Sequence, residues 1–199
     1  MSAQIGAMKA AGCEVNILAT INGFTALAVG TAAKLNWFPQ WFSTSSGADY
    51  PTLTTYLGPD VAPKLLQGFV GANHLPMASG DWVDHFRTIN EKYNPDAPFD
   101  GNTIFGMSAA YLFTEALTAA GENPTRDGIV EAITSGKLKG NGNVPLTFAA
   151  DNHAAFGGAG ITTVDQGVQD YVGSTYLLQG STVQPTEASQ LPAPELAGS

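Results

Sequence analysis

Three histidines, His74, His85 and His153, are the side chains best suited to acid–base or metal chemistry near neutral pH. No two of them stand four residues apart, the spacing that sets a metal-binding pair on one helical face. Cys13 is the single cysteine, so it brings no second thiol to a metal set and no intrachain disulfide. A serine hydrolase would want a Gly-x-Ser-x-Gly elbow, and Thr44-Ser45-Ser46-Gly47 lacks the first glycine. Gly140-Asn141-Gly142 and Gly157-Gly158-Ala159-Gly160 are glycine-rich. Neither follows a strand and opens a helix with dinucleotide-binding spacing, so both read as turns. No local pattern signals a carboxylate pair for glycoside chemistry. Asp49 and Asp60 flank the hydroxyl-rich stretch around Ser45. Either takes a ligand ammonium or caps the next helix, and capping is the commoner use. Trp37, Trp41 and Trp82 either stack on a ligand or pack in a core, again the commoner fate. The inventory assigns no catalytic residue, no metal site and no cofactor.

Composition narrows the partners. The 199 residues are enough to bury a sizeable core within one domain. Charged residues make up 13%, against about 25% in an ordinary globular chain. A net charge of −9 argues against nucleic acid and against an anionic membrane surface. Ala10-Ala11-Gly12-Cys13 has the outline of a lipoprotein cleavage box, but Met1 to Lys9 holds no apolar core of a signal peptide. Cys13 therefore reads as a small, partly buried residue at a helix-to-strand turn. No apolar run reaches the roughly 18–20 residues of a membrane-spanning helix.

The elements that must position any site alternate between helix and strand. Ala3 to Ala11 reads as a helix stopped by Gly12, and Val15 to Ala19 as a short buried strand. Thr20 to Gly23 is a polar turn. Phe24 to Leu35 is a helix apolar almost all round, hence packed on more than one side. Gln40 to Ser43 is a second strand, followed by the loop Ser43 to Gly47. This order indicates a parallel sheet with crossover helices, whose ligands bind outside the carboxyl ends of the strands. Thr20–Gly23 and Ser43–Gly47 fall there, with hydroxyls, an amide and exposable backbone N–H groups but no charge.

Further on, Pro51–Leu57 and Asp60–Leu65 read as short helices and Leu66–Gly71 as a strand. Asp81–Tyr93 is an amphipathic helix with Asp81 as its N-cap. Asn102–Ala120 is a long helix whose expected buried face is Phe105, Ala109, Leu112, Phe113, Ala116 and Leu117. Thr125 caps a helix from Arg126 to Ser135, and Lys137–Asn143 is a turn-rich linker. Val144–Phe148, Gly160–Val164 and Tyr171–Leu178 read as strands. Residues 184–199, with Pro185, Pro192 and Pro194, read as a disordered tail.

In order, these segments resemble the periplasmic solute-binding proteins of ABC transporters, type I fold, branched-chain amino acid and amide subgroup. The resemblance is carried by Ala3 to Val15, with its Lys9-Ala10-Ala11-Gly12; by Ala32-Ala33-Lys34-Leu35-Asn36-Trp37; by Ala109 to Gly121; and by Val144-Pro145-Leu146-Thr147-Phe148 with Asp151-Asn152-His153. It extends over residues 3 to about 180 and implies an incomplete α/β fold holding parts of two doubly wound lobes. Full members join two lobes by three crossovers. By their chain path, residues 1–72 belong to the second lobe, 76–157 return to the first, and 158–180 cross back. The resemblance also implies a non-enzymatic, periplasmic or extracellular protein, membrane-associated in a full-length parent. A small polar solute, an amino acid or amide, and a membrane permease would be its partners. The binding residues carried over are Thr20, Ile21 and Asn22 after one strand and Thr44, Ser45 and Ser46 after the next. The acidic residue that meets a solute ammonium in some members falls at Ser46, where this chain has none. The first-lobe opening segment is missing from the match, so a missing amino-terminal segment or self-association is expected. The competing expectation is a ligand-sensing domain or enzyme on a doubly wound sheet.

Overall fold

The computed structural model describes residues 1–76, 80–188 and 192–194. In chain order the elements are α1 (Ser2–Ala10), β1 (Val15–Leu18), α2 (Asn22–Lys34), β2 (Gln40–Thr44), a single 3-10 turn (Ser45–Gly47), α3 (Tyr50–Leu57), α4 (Ala62–Leu65), β3 (Val70–Asn73), α5 (Asp81–Tyr93), α6 (Gly101–Ala120), α7 (Arg126–Thr134), β4 (Gly158–Asp165), β5 (Val168–Gln179) and β6 (Thr182–Thr186). They fall into two compact units: Met1–Asn73 with Ile161–Val172, and His74–Gly160 with Gly173–Ser199.

In the first unit β1, β2 and β3 are parallel. Ile17 pairs with Phe42 and Phe42 with Val70; one residue on, Leu18 pairs with Ser43 and Ser43 with Gly71. Helices α1 to α4 bury one face of this sheet. Its core holds Ile5 of α1, Ala28 and Val29 of α2, Leu53 of α3 and Ala62 of α4 against Leu18 and Trp41. Val164 extends the core and pairs by backbone hydrogen bonds with Phe69 and Gly68.

Three expectations for this unit need correction. β1 is not buried on both sides: Asn16 and Leu18 face the core, while Val15 is 56% and Ile17 80% exposed. Nor is α2 packed all round. It buries Thr25, Ala26, Ala28, Val29 and Ala32, and leaves Phe24 and Leu27 half-exposed. Small side chains let the helix axis approach the sheet closely, so one face suffices for its packing. The third strand also starts late. Leu66 and Phe69 are core residues of a turn, because Gly68 has φ +73 and breaks any extended run before Val70.

The second unit packs α5 against α6 through Trp82, Val83, Phe86 and Ile104, with Tyr111 edge-on to Trp82. Gly80, not Asp81, is the N-cap of α5; Asp81 sits in the first turn, where its charge complements the helix dipole. Asp100 caps α6 by accepting from the backbone N–H of Asn102 and Thr103, and Gly121 at φ +89 ends it. The buried face of α6 is Ile104, Ser108 and Ala116, whereas Phe105 and Phe113 are exposed. A polar partner explains the rotation: Asn141 Nδ2 donates to Ser108 Oγ at 3.0 Å. The turn-rich stretch 137–143 is held in place. Glu115 accepts from the N–H of Lys139 (2.7 Å) and Gly140 (2.9 Å), and Leu138, Asn141 and Asn143 are buried. Thr125 caps α7 as expected.

Val144–Phe148 forms no strand; Leu146 makes an isolated bridge to Phe156. Gln184, Pro185 and Thr186 leave the expected tail and join β6, antiparallel to β5, with Pro185 opposite Tyr176. Proline is tolerated in a strand whose N–H need not pair. Residues 189–191 and 195–199 of that tail, and 77–79 of the stretch 76–157, lie outside the described residues.

Candidate ligand-binding loops

The carboxyl ends of β1 and β2 are neighbours because the strands are parallel and in register. This brings Thr20, Ile21 and Asn22 beside Thr44, Ser45 and Ser46. Ser43 Oγ donates to Leu18 O at 2.9 Å and fastens the two strand ends. Gly47 closes the second loop against the first. A Cβ there would collide with Thr20 O and with the hydroxyls of Ser43 and Thr25, so only glycine permits this approach.

The six residues divide by role. Asn22 is buried, and its Oδ1 accepts the backbone N–H of Asp49 at 3.1 Å. Thr20 Oγ1 shares a hydrogen bond with Thr25 Oγ1 at 2.7 Å. Ile21 is the N-cap of α2 and is 61% exposed; Thr44 and Ser46 are exposed and Ser45 half-buried. The loops thus present an apolar side chain, three hydroxyls and the first N–H groups of a helix over a buried amide support. Such groups can hold a polar solute by hydrogen bonds.

The ambiguity of the two flanking acids resolves in favour of capping for one of them. Asp49 is buried and accepts from Thr52 N at 3.0 Å as the N-cap of α3. Asp60 is exposed in the turn before α4, whose N-cap is Val61.

Other polar residues under these loops carried no sequence signal. Gln169 is 2% exposed, accepts from Tyr50 N at 2.9 Å and donates to Thr162 Oγ1 at 3.0 Å and to Ala48 O. Thr162 in turn donates to Gly71 O at 3.3 Å. Gln169 lies more than a hundred residues from Tyr50, so only folding could join them. Tyr56 was also missed. Its ring lies 3.8 Å from where a Cβ on Gly23 would stand, and it is exposed, as is Phe24.

The histidines stand elsewhere. His74 stacks on Phe156 with ring centroids 4.3 Å apart, and burial holds its pKa below the ordinary value. His85 lies edge-on to Trp82, and His153 is exposed. Among the described residues no three His, Cys, Asp or Glu side chains come together as a metal site. A cavity of about 90 Å³ lined by Trp37, Phe38, Trp41, Lys64 and Phe69 lies at the amino-terminal end of β2, away from the loops. Among the described residues no helix is long and apolar enough to cross a membrane.

A family model described as periplasmic binding protein matches residues 1–169. The chain belongs to that family. A search of curated proteins gives no match. Among solved structures, a branched chain amino acid ABC transporter from Thermus thermophilus with bound valine aligns with a TM-score of 0.73 at 19% identity, over 89% of this chain and 49% of that one. A leucine binding protein from Thermotoga maritima aligns at 0.63 and 19% identity, over 86% of this chain and 47% of that one. A fatty acid ABC transporter substrate-binding protein from Thermomonospora curvata aligns at 0.70 and 20% identity, over 90% and 47%. The periplasmic binding protein has the type I fold of these structures, and its chain spans about half their length. Solute binding is the role that the family supports.

Proposed function

We propose that this periplasmic binding protein chain is part of the substrate-binding component of an ABC-type importer for branched-chain amino acids, amides or similar small polar solutes. The observation that carries this reading is the pair of uncharged loops, Thr20–Asn22 and Thr44–Ser46, set side by side at the carboxyl ends of β1 and β2. Their hydroxyls and helix-start N–H groups suit a neutral or anionic polar head. In this reading the first compact unit is the family's second lobe, and His74–Gly160 belongs to the first. The protein works outside the cytoplasm, passes solute to a membrane permease and performs no chemistry on it. The valine bound by the Thermus protein and the fatty acid named for the Thermomonospora one set the range of probes.

Thermal denaturation with valine, leucine, acetamide and octanoate tests the reading. A probe at a hundred times its Kd adds about 2.7 kcal/mol, which raises Tm by roughly 5–10 °C in a chain of this size. The double variant Thr44→Ala, Ser46→Ala is expected to cut that shift while keeping the ligand-free Tm. Consumption of a probe, or no shift with any of them, would overturn the proposal.

A further inference from the structure

We infer that the cavity at the amino-terminal end of β2 is a second small-molecule site, which takes a monocarboxylate with a short branched alkyl chain. It stands apart from the loops. Gln40 opens β2 and Thr44 closes it, so the two ends lie roughly 13 Å apart at about 3.3 Å per residue.

The walls are apolar. Trp41, Phe69 and Val29 line the cavity and are themselves buried. Trp37 is half-buried and stands edge-on to Trp41, with ring centroids 6.0 Å apart. Phe38 also lines it and is 66% exposed. A hydrocarbon group seated here takes aromatic surface out of water. A cavity of about 150 Å³ holds benzene. At about 90 Å³ this one suits a smaller group, such as the isobutyl chain of isovalerate.

Hydrogen bonds fix this shape before any ligand arrives. Gln40 Nε2 donates to Trp41 O at 3.1 Å and to Gly68 O at 2.7 Å, which ties the start of β2 to the turn before β3. Gly68 N donates to Val164 O at 2.8 Å. Gln67 Nε2 donates to Asp165 Oδ1 at 2.8 Å, and Gln67 Oε1 accepts from Gln166 N at 3.0 Å. Both carboxamides beside the cavity are thus engaged in the fold, and a preformed site loses less freedom on binding.

Lys64 of α4 supplies the charge. It lines the cavity, is exposed, and has no hydrogen bond or ion pair among the described residues. No aspartate or glutamate stands among the described residues that line it. One ammonium beside an apolar hollow complements a carboxylate with a hydrocarbon tail. It has nothing for a second, positive group, so the zwitterion of leucine is disfavoured.

Heteronuclear NMR of the isotope-labelled chain titrated with isovalerate tests the site. The three tryptophans give separate indole N–H signals, of which Trp37→Phe identifies one. Trp82, in the second compact unit, is the internal control. Saturable shifts are expected at Trp37 and Trp41 and none at Trp82. Isoamyl alcohol, the same skeleton without charge, and leucine are expected to bind more weakly. Lys64→Gln is expected to weaken isovalerate binding about two- to fivefold, the range of an exposed ion pair. Absence of a saturable shift overturns the inference. So does equal binding of isoamyl alcohol with Lys64→Gln indifferent. Loss of the shift in the Thr44→Ala, Ser46→Ala variant also overturns it, because the probe then sits at the loops. Should Lys64→Gln fail to fold, the comparison of isovalerate with isoamyl alcohol decides alone.

Discussion

Asn22 shows how a residue read as ligand-facing also holds the architecture. Its carbonyl accepts the N–H of Asp49, which in turn caps α3, so one amide ties the first loop to the helix after the second. Asn22→Ala removes the side-chain acceptor of the buried Asp49 N–H. The expected loss is about 1–3 kcal/mol, read as a lower urea midpoint with an unchanged m value. His74 makes a second prediction. Burial lowers its pKa in the folded state, so the unfolded chain binds more protons at acid pH. The stability it contributes is present above the unfolded pKa near 6.5 and fades as pH falls below it. The Tm of the wild type is therefore expected to drop between pH 7.5 and 5.5, and His74→Gln to flatten that slope. Of these residues the sequence showed the hydroxyls and the amide of the two loops. It could not reveal which side chain spends its hydrogen bonds inward, because Asp49 and Gln169 meet their partners only after the chain has closed.

At the scale of elements, composition located nearly every helix, while facing was harder. α2 and α6 are apolar round much of their circumference, so hydrophobicity alone left their orientation open. α2 turned its small residues to the sheet, and α6 turned Ser108 inward to meet Asn141. Two substitutions in α2 and α3 measure the difference. Phe24→Gln is expected to change stability by less than about 0.5 kcal/mol, as at an ordinary surface site. Leu53→Ala, from a wholly buried position, is expected to cost about 2–5 kcal/mol. Chemical denaturation of both variants gives the comparison. The cap at Thr125 was legible because it is local: Thr125 Oγ1 reaches the N–H of Gly128 three residues on. The error at Val144–Phe148 has the opposite cause, since strand formation needs a partner that the local sequence does not name.

For the whole molecule, a net charge of −9 still constrains the partners. Retention on double-stranded DNA at physiological salt is expected to be nil, and a gel-shift assay checks it. The alternating pattern and the polar loops after β1 and β2 were written in the sequence itself. Periodicity of 3.6 and 2, turn residues and charge balance are local properties that survive in the unfolded chain. What folding alone decided was pairing at a distance: the register of β1 on β2 and of β2 on β3, the seating of Gln169 under Ala48 and Tyr50, and the exposure of Ile17 on the sheet face away from Leu18. Those facts depend on which surfaces meet, and contacts between residues a hundred positions apart have no energy until the chain brings them together.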